Sequence, residues 1–213
     1  MKIDNILILD YGSQYTQLIA RRVRELKVYS EIYSYKAAID KIKAQSPSAI
    51  ILSGGPMSVY DKNSYKLNSE LLELGIPILG ICYGMQLLMK ELNSKVIPSN
   101  TREYGHAKIK ILKNSSLFEG IGPTTDVWMS HGDKIQLCKD NFTILAHSDN
   151  GILAAAVHND KPYYGVQFHP EVVHTEQGKK ILSNFLFNIA DCSPTWNSKN
   201  FIKDSVEYIK EKV

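Results

Sequence analysis

The chain has 213 residues, 25 Lys and Arg against 22 Asp and Glu, a formal net charge of +3 and 44% apolar residues. That length suits one domain with a short appendage, and so small a charge excess announces neither a nucleic-acid nor a membrane partner. Three widely spaced cysteines, Cys82, Cys138 and Cys192, include no Cys-x-x-Cys pair, so neither a disulfide framework nor a metal site is expected.

The N-terminus "MKIDNILILDYG" enters an apolar run without the layout of a signal peptide, and no stretch approaches the ~18 apolar residues of a membrane span. A cytoplasmic location follows as the expectation. Strands are predicted at "NILILD", "SEIYSY", "AIILSG" and "PILGIC", with helices between them over Gln14–Lys27, Ala37–Gln45, Ser64–Leu74 and Tyr83–Asn93. In the first helix Arg21, Arg22 and Arg24 lie opposite Leu18, Ile19, Val23 and Leu26, and read as a solvated outer face. From Lys95 to Phe168 the runs "AKIKIL", "DVWMSHGDKIQLC", "FTILAHS", "ILAAAV" and "YYGVQFH" are short and often alternating. They read as antiparallel or mixed strands added to the same sheet, followed by a helix near Glu176–Ala190. The fold class is therefore α/β: an open, mostly parallel but mixed sheet with helices on both faces. Its ligands belong at the carboxyl edge of the parallel strands.

Residues 1–190 form the expected domain, and 191–213 a linker and junction. "DCSPTWNSKN" has linker composition, and "FIKDSVEYIKEKV" carries an apolar stripe of Phe201, Ile202, Val206 and Ile209 that no later element covers. That helix either packs back on the domain or marks the boundary of a larger protein.

Three constellations carry chemistry. In "GICYGMQ", Cys82 stands between Gly80 and Gly84 where a strand candidate meets a helical pattern, the layout of a nucleophile elbow. The helix N-terminus would favour its thiolate, although on this segment alone a packed apolar thiol is the better reading. In "FHPE", Pro170 biases His169 to extended backbone, so His169 and Glu171 point to one side and the carboxylate can orient the imidazole as a base. His106, His147, His158 and His174 read as structural, with His131 undecided. In "SGGP", Gly54 and Gly55 would let backbone N–H groups approach a developing negative charge, although an ordinary Gly-Pro turn has the same composition. The Asp-Ser pair of a pyrophosphate-binding Ser-Gly-Gly-x-Asp-Ser loop is missing, because Met57 and Ser58 follow Pro56, and no other phosphate loop occurs.

In this order, "SGGP", "GICYGMQ" and "GVQFHPE" resemble the class I glutamine amidotransferase family over roughly residues 4–190. The resemblance implies a flavodoxin-like three-layer fold and a triad of Cys82 as nucleophile, His169 as base and Glu171 as its orienting carboxylate. It also implies backbone N–H groups of Gly55 and Tyr83 as oxyanion donors, and Gln86, Ser130, Gly132 and Asp133 as binding residues for L-glutamine. Within the family, "ILDYGSQYTQLIARRVREL", "TREYGHAKI", "DVWMSHGDK" and "FHPEVVHTEQG" are similar to the glutaminase half of GMP synthase. That likeness implies ammonia supplied to an ATP-pyrophosphatase domain, in cis or in trans, which uses ATP and Mg2+ to aminate XMP. Trp196 matches the start of its linker. The chain itself is expected to need no cofactor. The alternatives left open are a glutaminase serving anthranilate, carbamoyl phosphate or CTP synthesis, a stand-alone γ-glutamyl hydrolase, and a non-catalytic module that keeps the fold.

Overall fold

The computed structural model of the chain describes residues 4–137, 140–197 and Lys210, and for residues 100–102 and 137 the backbone alone. Cys138 and the amphipathic segment 201–213, apart from Lys210, lie outside the described residues.

In chain order the elements are β1 (Asn5–Asp10), α1 (Thr16–Glu25), β2 (Tyr29–Ser34), α2 (Ile39–Gln45), β3 (Ala49–Leu52), a 3-10 turn (Ser69–Glu73), β4 (Ile78–Ile81) and α3 (Tyr83–Glu91). Then come β5 (Lys95–Ile111), β6 (Thr124–Leu137), β7 (Phe142–Ser148), β8 (Leu153–His158), β9 (Tyr163–Val166) and α4 (Gly178–Asn184), which continues as a π-helical turn over Phe185–Ile189. They build one nine-stranded sheet in the order β2-β1-β3-β4-β9-β8-β7-β5-β6. The first five strands of that order are joined by four parallel pairs, and the remaining four pairs are antiparallel.

The continuous apolar runs of the parallel strands are explained by burial on both faces. Along β1, Ile6 and Ile8 join Ile19 and Val23 of α1 and Phe185 beyond α4, while Leu7 and Leu9 join Leu52, Leu71 and Leu87 on the opposite face. Each such side chain removed from water contributes about 1.5–3 kcal/mol before entropy is counted. From β1 the chain passes outward to β2 and then back to β3 on the other side, and this reversal opens a crevice beyond the strand ends. The segments "SGGP", "CYG" and "QFHPE" leave the carboxyl ends of β3, β4 and β9, three adjacent strands. Topology alone thus gathers the three constellations.

Three expectations change. The helix expected over Ser64–Leu74 is only the five-residue 3-10 turn at Ser69–Glu73. The Tyr65 ring packs 4.3 Å from that of Tyr35, its carbonyl accepts the Tyr83 hydroxyl, and the Asn68 side chain caps the turn by accepting from the Glu70 N–H. Those tertiary contacts keep residues 65–68 out of a helix. The strand expected at "AKIKIL" is the end of a 17-residue β5, whose earlier part was hidden by Pro98, Gly105 and a register shift between Pro98 and Glu103. Finally, Arg21 and Arg24 are exposed as expected, but Arg22, which shares the Glu25 ion pair with Arg21, is only partly exposed. Arg24 nevertheless donates to the Ser30 carbonyl at 2.7 Å, and Arg22 reaches across to the Glu171 carbonyl at 2.9 Å.

Candidate active site

Cys82 occupies the one-residue turn between β4 and α3, at φ 53° and ψ −108°. A non-glycine residue there costs on the order of 1–3 kcal/mol, and the surroundings must enforce it. The Cys82 N–H donates to Val166 O at 2.8 Å, and Gln86 N–H returns to Cys82 O at 3.2 Å, so the residue belongs to the sheet on one side and the helix on the other. A Cβ on Gly84 would stand 2.3 Å from Leu52 O, and one on Gly80 would stand 2.6 Å from Met85 N. The flanking glycines therefore let α3 seat directly on β3 and β4, with the sulfur at the sheet edge.

That sulfur meets three polar groups: the Ser130 carbonyl at 3.6 Å, the Gln167 side-chain amide N–H at 3.6 Å, and the imidazole of His169. His169 Nδ1 lies 2.7 Å from Glu171 Oε1, and both side chains are buried. Burial alone would push the His169 pKa down; hydrogen bonds to Cys82 and Glu171 and the charge of both reverse this and hold it well above the usual histidine value. The loop is fixed on every side: His169 N–H donates to Trp128 O, Thr175 Oγ1 to His169 O, and Arg22 Nε to Glu171 O. Tyr15 packs edge-on against the imidazole, with centroids 5.1 Å apart. The arrangement can place a proton on His169 and negative charge on Cys82, with Glu171 orienting the ring. Cys192 differs: its buried thiol is pushed up to about 12, chiefly by desolvation, which leaves it inert.

Cys82 opens into a cavity of about 410 Å³ that also contains Gly55, Tyr83, Gln86, Ser130, Gly132 and Asp133. All six residues named for oxyanion or glutamine binding thus share one space with the thiol. Gly55 must be small, since a Cβ would lie 2.7 Å from Tyr11 O and 3.1 Å from the Tyr83 ring. Gln86 Nε2 donates to Gln167 Oε1 at 3.0 Å and to Asp133 O at 3.4 Å, so its amide also braces the cavity wall. A smaller adjoining cavity of about 230 Å³, which shares Gly55, Cys82 and Ser130 with the first, is also lined by His169, Ser13 and Tyr15.

His131, undecided from sequence, also lines the larger cavity, with both ring nitrogens engaged by neighbours. Its Nδ1 lies 2.8 Å from Asp133 O and its Nε2 3.2 Å from Glu103 Oε2, while Glu103 Oε1 accepts from Ser148 and Asn150. Burial lowers its pKa against the pull of these partners. Sequence reasoning missed Gln167, Tyr60 and Arg22. Gln167 carried a usable signal, because it stands two residues before His169 in extended chain and so faces the same way. Tyr60, whose hydroxyl reaches Asp133 Oδ1 at 2.6 Å from 73 residues away, carried none.

The family model described as glutamine amidotransferase class-I matches residues 7–189. GMP synthase [glutamine-hydrolyzing] of Brachyspira hyodysenteriae is 52% identical over 211 residues, covering 99% of this chain and 41% of that protein. The protein of the same name from Natranaerobius thermophilus is 49% identical over 210 residues, with 99% and 41% covered. The chain therefore spans about two fifths of the length of these relatives. Among solved structures, a protein of Thermoplasma acidophilum described as one subunit of a GMP synthase superimposes with a TM-score of 0.77 at 28% identity, covering 96% of this chain and 99% of that one. A glutamine amidotransferase of Thermotoga maritima gives 0.71 at 20% identity, with 89% and 99% covered, a likeness of fold.

Proposed function

The chain belongs to the class I glutamine amidotransferase family, and we propose that it hydrolyses L-glutamine to glutamate and ammonia through a thioester on Cys82. The observation that carries this reading is the meeting of Cys82, which lines the 410 Å³ cavity, with the buried His169–Glu171 pair. In the first half-reaction His169 holds the thiol proton and the Cys82 sulfur attacks the side-chain amide carbon. The negative charge on the carbonyl oxygen falls to the N–H groups of Gly55 and Tyr83, donors of a kind worth ~100 to 1,000-fold in rate. As the tetrahedral species collapses, the C–N bond breaks, His169 protonates the nitrogen and ammonia departs. In the second half His169 takes a proton from water, the hydroxide attacks the thioester, and the C–S bond breaks to give glutamate and the resting cysteine. Glu171 keeps the ring oriented and its cationic form stable throughout. Gln86, Ser130, Gly132 and Asp133 bind the amino acid, the acidic Asp133 taking its α-ammonium group.

The ammonia serves amination of XMP to GMP in purine nucleotide biosynthesis, on a synthetase region that binds ATP and Mg2+ and lies outside these residues. The relatives' greater length supports such a region in cis. Residues 1–190 are the amidotransferase domain and 191–213 the linker towards that region. The start of this linker is docked: Trp196 N–H donates to Lys27 O, and Ser193 N–H to Asp4 Oδ2. Among the described residues no helix is long and apolar enough to cross a membrane, and a cytoplasmic location fits this chemistry.

Exposure to 6-diazo-5-oxo-L-norleucine, a diazo-ketone mimic of glutamine, in the presence of a relative's synthetase region tests the reading by mass spectrometry. The expected result is one adduct on Cys82. An unmodified Cys82 in a chain that hydrolyses no glutamine refutes it.

A further inference from the structure

Tyr60 is 41% exposed, and its hydroxyl lies 2.6 Å from Oδ1 of Asp133, a residue only 7% exposed. That is the length of a charge-assisted O–H···O⁻ bond. Asp133 is the only carboxylate among the described residues lining the cavity that holds Cys82, and no ion pair to it occurs among the described residues. A nearly buried carboxylate with a neutral phenol and no counter-charge is disposed to receive a cation.

Both partners stand on fixed backbone. The Asp133 carbonyl is held by His131 Nδ1 at 2.8 Å. Val59, next to Tyr60, is buried, and its carbonyl accepts from Lys90 Nζ and Ser64 Oγ. The clamp is therefore preformed, and spans from the loop after β3 to β6.

Resting on the glutaminase reading, we propose that Tyr60 determines specificity at the amino end of the cavity: with Asp133 it forms a clamp for a free α-ammonium group, so that free L-glutamine is accepted and N-acylated glutamine is rejected. The phenol donates its proton to Asp133 and keeps a lone pair to accept from the ligand. An ammonium has three donors and a charge, and can serve both oxygens at once. An acylated nitrogen has one donor and no charge, and its acyl group would have to occupy the space of the Tyr60 ring. Desolvation and the bond to Asp133 hold the phenol pKa above its ordinary value, which keeps it a donor.

The test follows the rate of Cys82 modification by 6-diazo-5-oxo-L-norleucine, by its N-acetyl derivative and by iodoacetamide, which has no amino end, with the synthetase region present. Tyr60→Phe should slow the amino-acid reagent about tenfold through its half-saturating concentration, and Tyr60→Ala should in addition raise the relative rate of the N-acetyl reagent. Iodoacetamide should react alike with all three chains. An unchanged preference for the free amine in both variants overturns the proposal, as does an equal slowing of all three reagents, which would mark a structural role. If the unaltered chain resists both diazo-ketones while iodoacetamide modifies Cys82, the glutaminase reading itself fails and this clamp with it.

Discussion

Gly84→Ala should separate a nucleophile elbow from an ordinary strand-to-helix turn. By helix propensity alone the change is favourable by about 1 kcal/mol, because Gly84 lies within α3. Against this stands the contact: the new Cβ would sit 2.3 Å from Leu52 O and 2.7 Å from Leu52 Cβ, whereas ordinary contact begins near 3.4 Å. The obstacle is strand backbone and cannot swing aside, so α3 must lift from β3 by about 1 Å. Overpacking of this kind costs ~1–3 kcal/mol or more, which outweighs the propensity gain. With a backbone clash this close the upper end of that cost applies, so the expected net loss is about 2 kcal/mol, or roughly 4–8 °C in Tm for a chain of this size. The displacement also moves Cys82 relative to β9, and an error of ~1 Å at a reacting atom costs about 100-fold in rate. Calorimetry gives the first quantity and the rate of Cys82 modification by a glutamine-like electrophile the second. A variant as stable as the parent, modified at the parent rate, would refute the claim that Gly84 exists to seat the helix.

Glu171→Gln removes the carboxylate that helps hold the His169 pKa up. A raised folded-state pKa gives stability that is fully present below the unfolded value near 6.5 and declines as pH rises towards the raised value. The urea midpoint of the parent should therefore fall as pH rises above that point, while the variant's should stay flatter; parallel pH curves would contradict the assignment. Arg22→Ala removes the donor on the Glu171 carbonyl. Because Arg22 is partly exposed, the expected stability loss is only about 1 kcal/mol, whereas glutamine turnover should drop ~10-fold in kcat with KM little changed, measured by steady-state kinetics. An unchanged kcat would leave Arg22 a surface residue.

Much of this was legible in the residues. The strands β1, β3 and β4 could be read because each is a short apolar run closed by Gly, Pro or polar residues, and double-sided burial is the packing that suits such runs. The elbow was legible from Gly80 and Gly84, and the His169–Glu171 pair from the period-2 geometry of "HPE". The helix expected at Ser64–Leu74 had good periodicity, but local preference there is worth tenths of a kcal/mol per residue, and the Tyr35–Tyr65–Tyr83 packing outweighed it. Arg22 looked solvated because a sequence shows which face of a helix is polar, and never shows which carbonyls stand opposite.

What the sequence determined by itself was therefore local chemistry: the elements, the strained turn at Cys82, the base paired with its carboxylate, and their similarity to an amidotransferase. Tertiary structure decided which of these meet. Cys82 reaches His169, 87 residues away, only because β4 and β9 are neighbours in the sheet. Asp133 is joined by Tyr60 only because the β5–β6 hairpin folds back over the carboxyl edge of the parallel strands. Chain spacing carries no information about such contacts, since they depend on strand order, and strand order is set by how both faces of the whole sheet are buried.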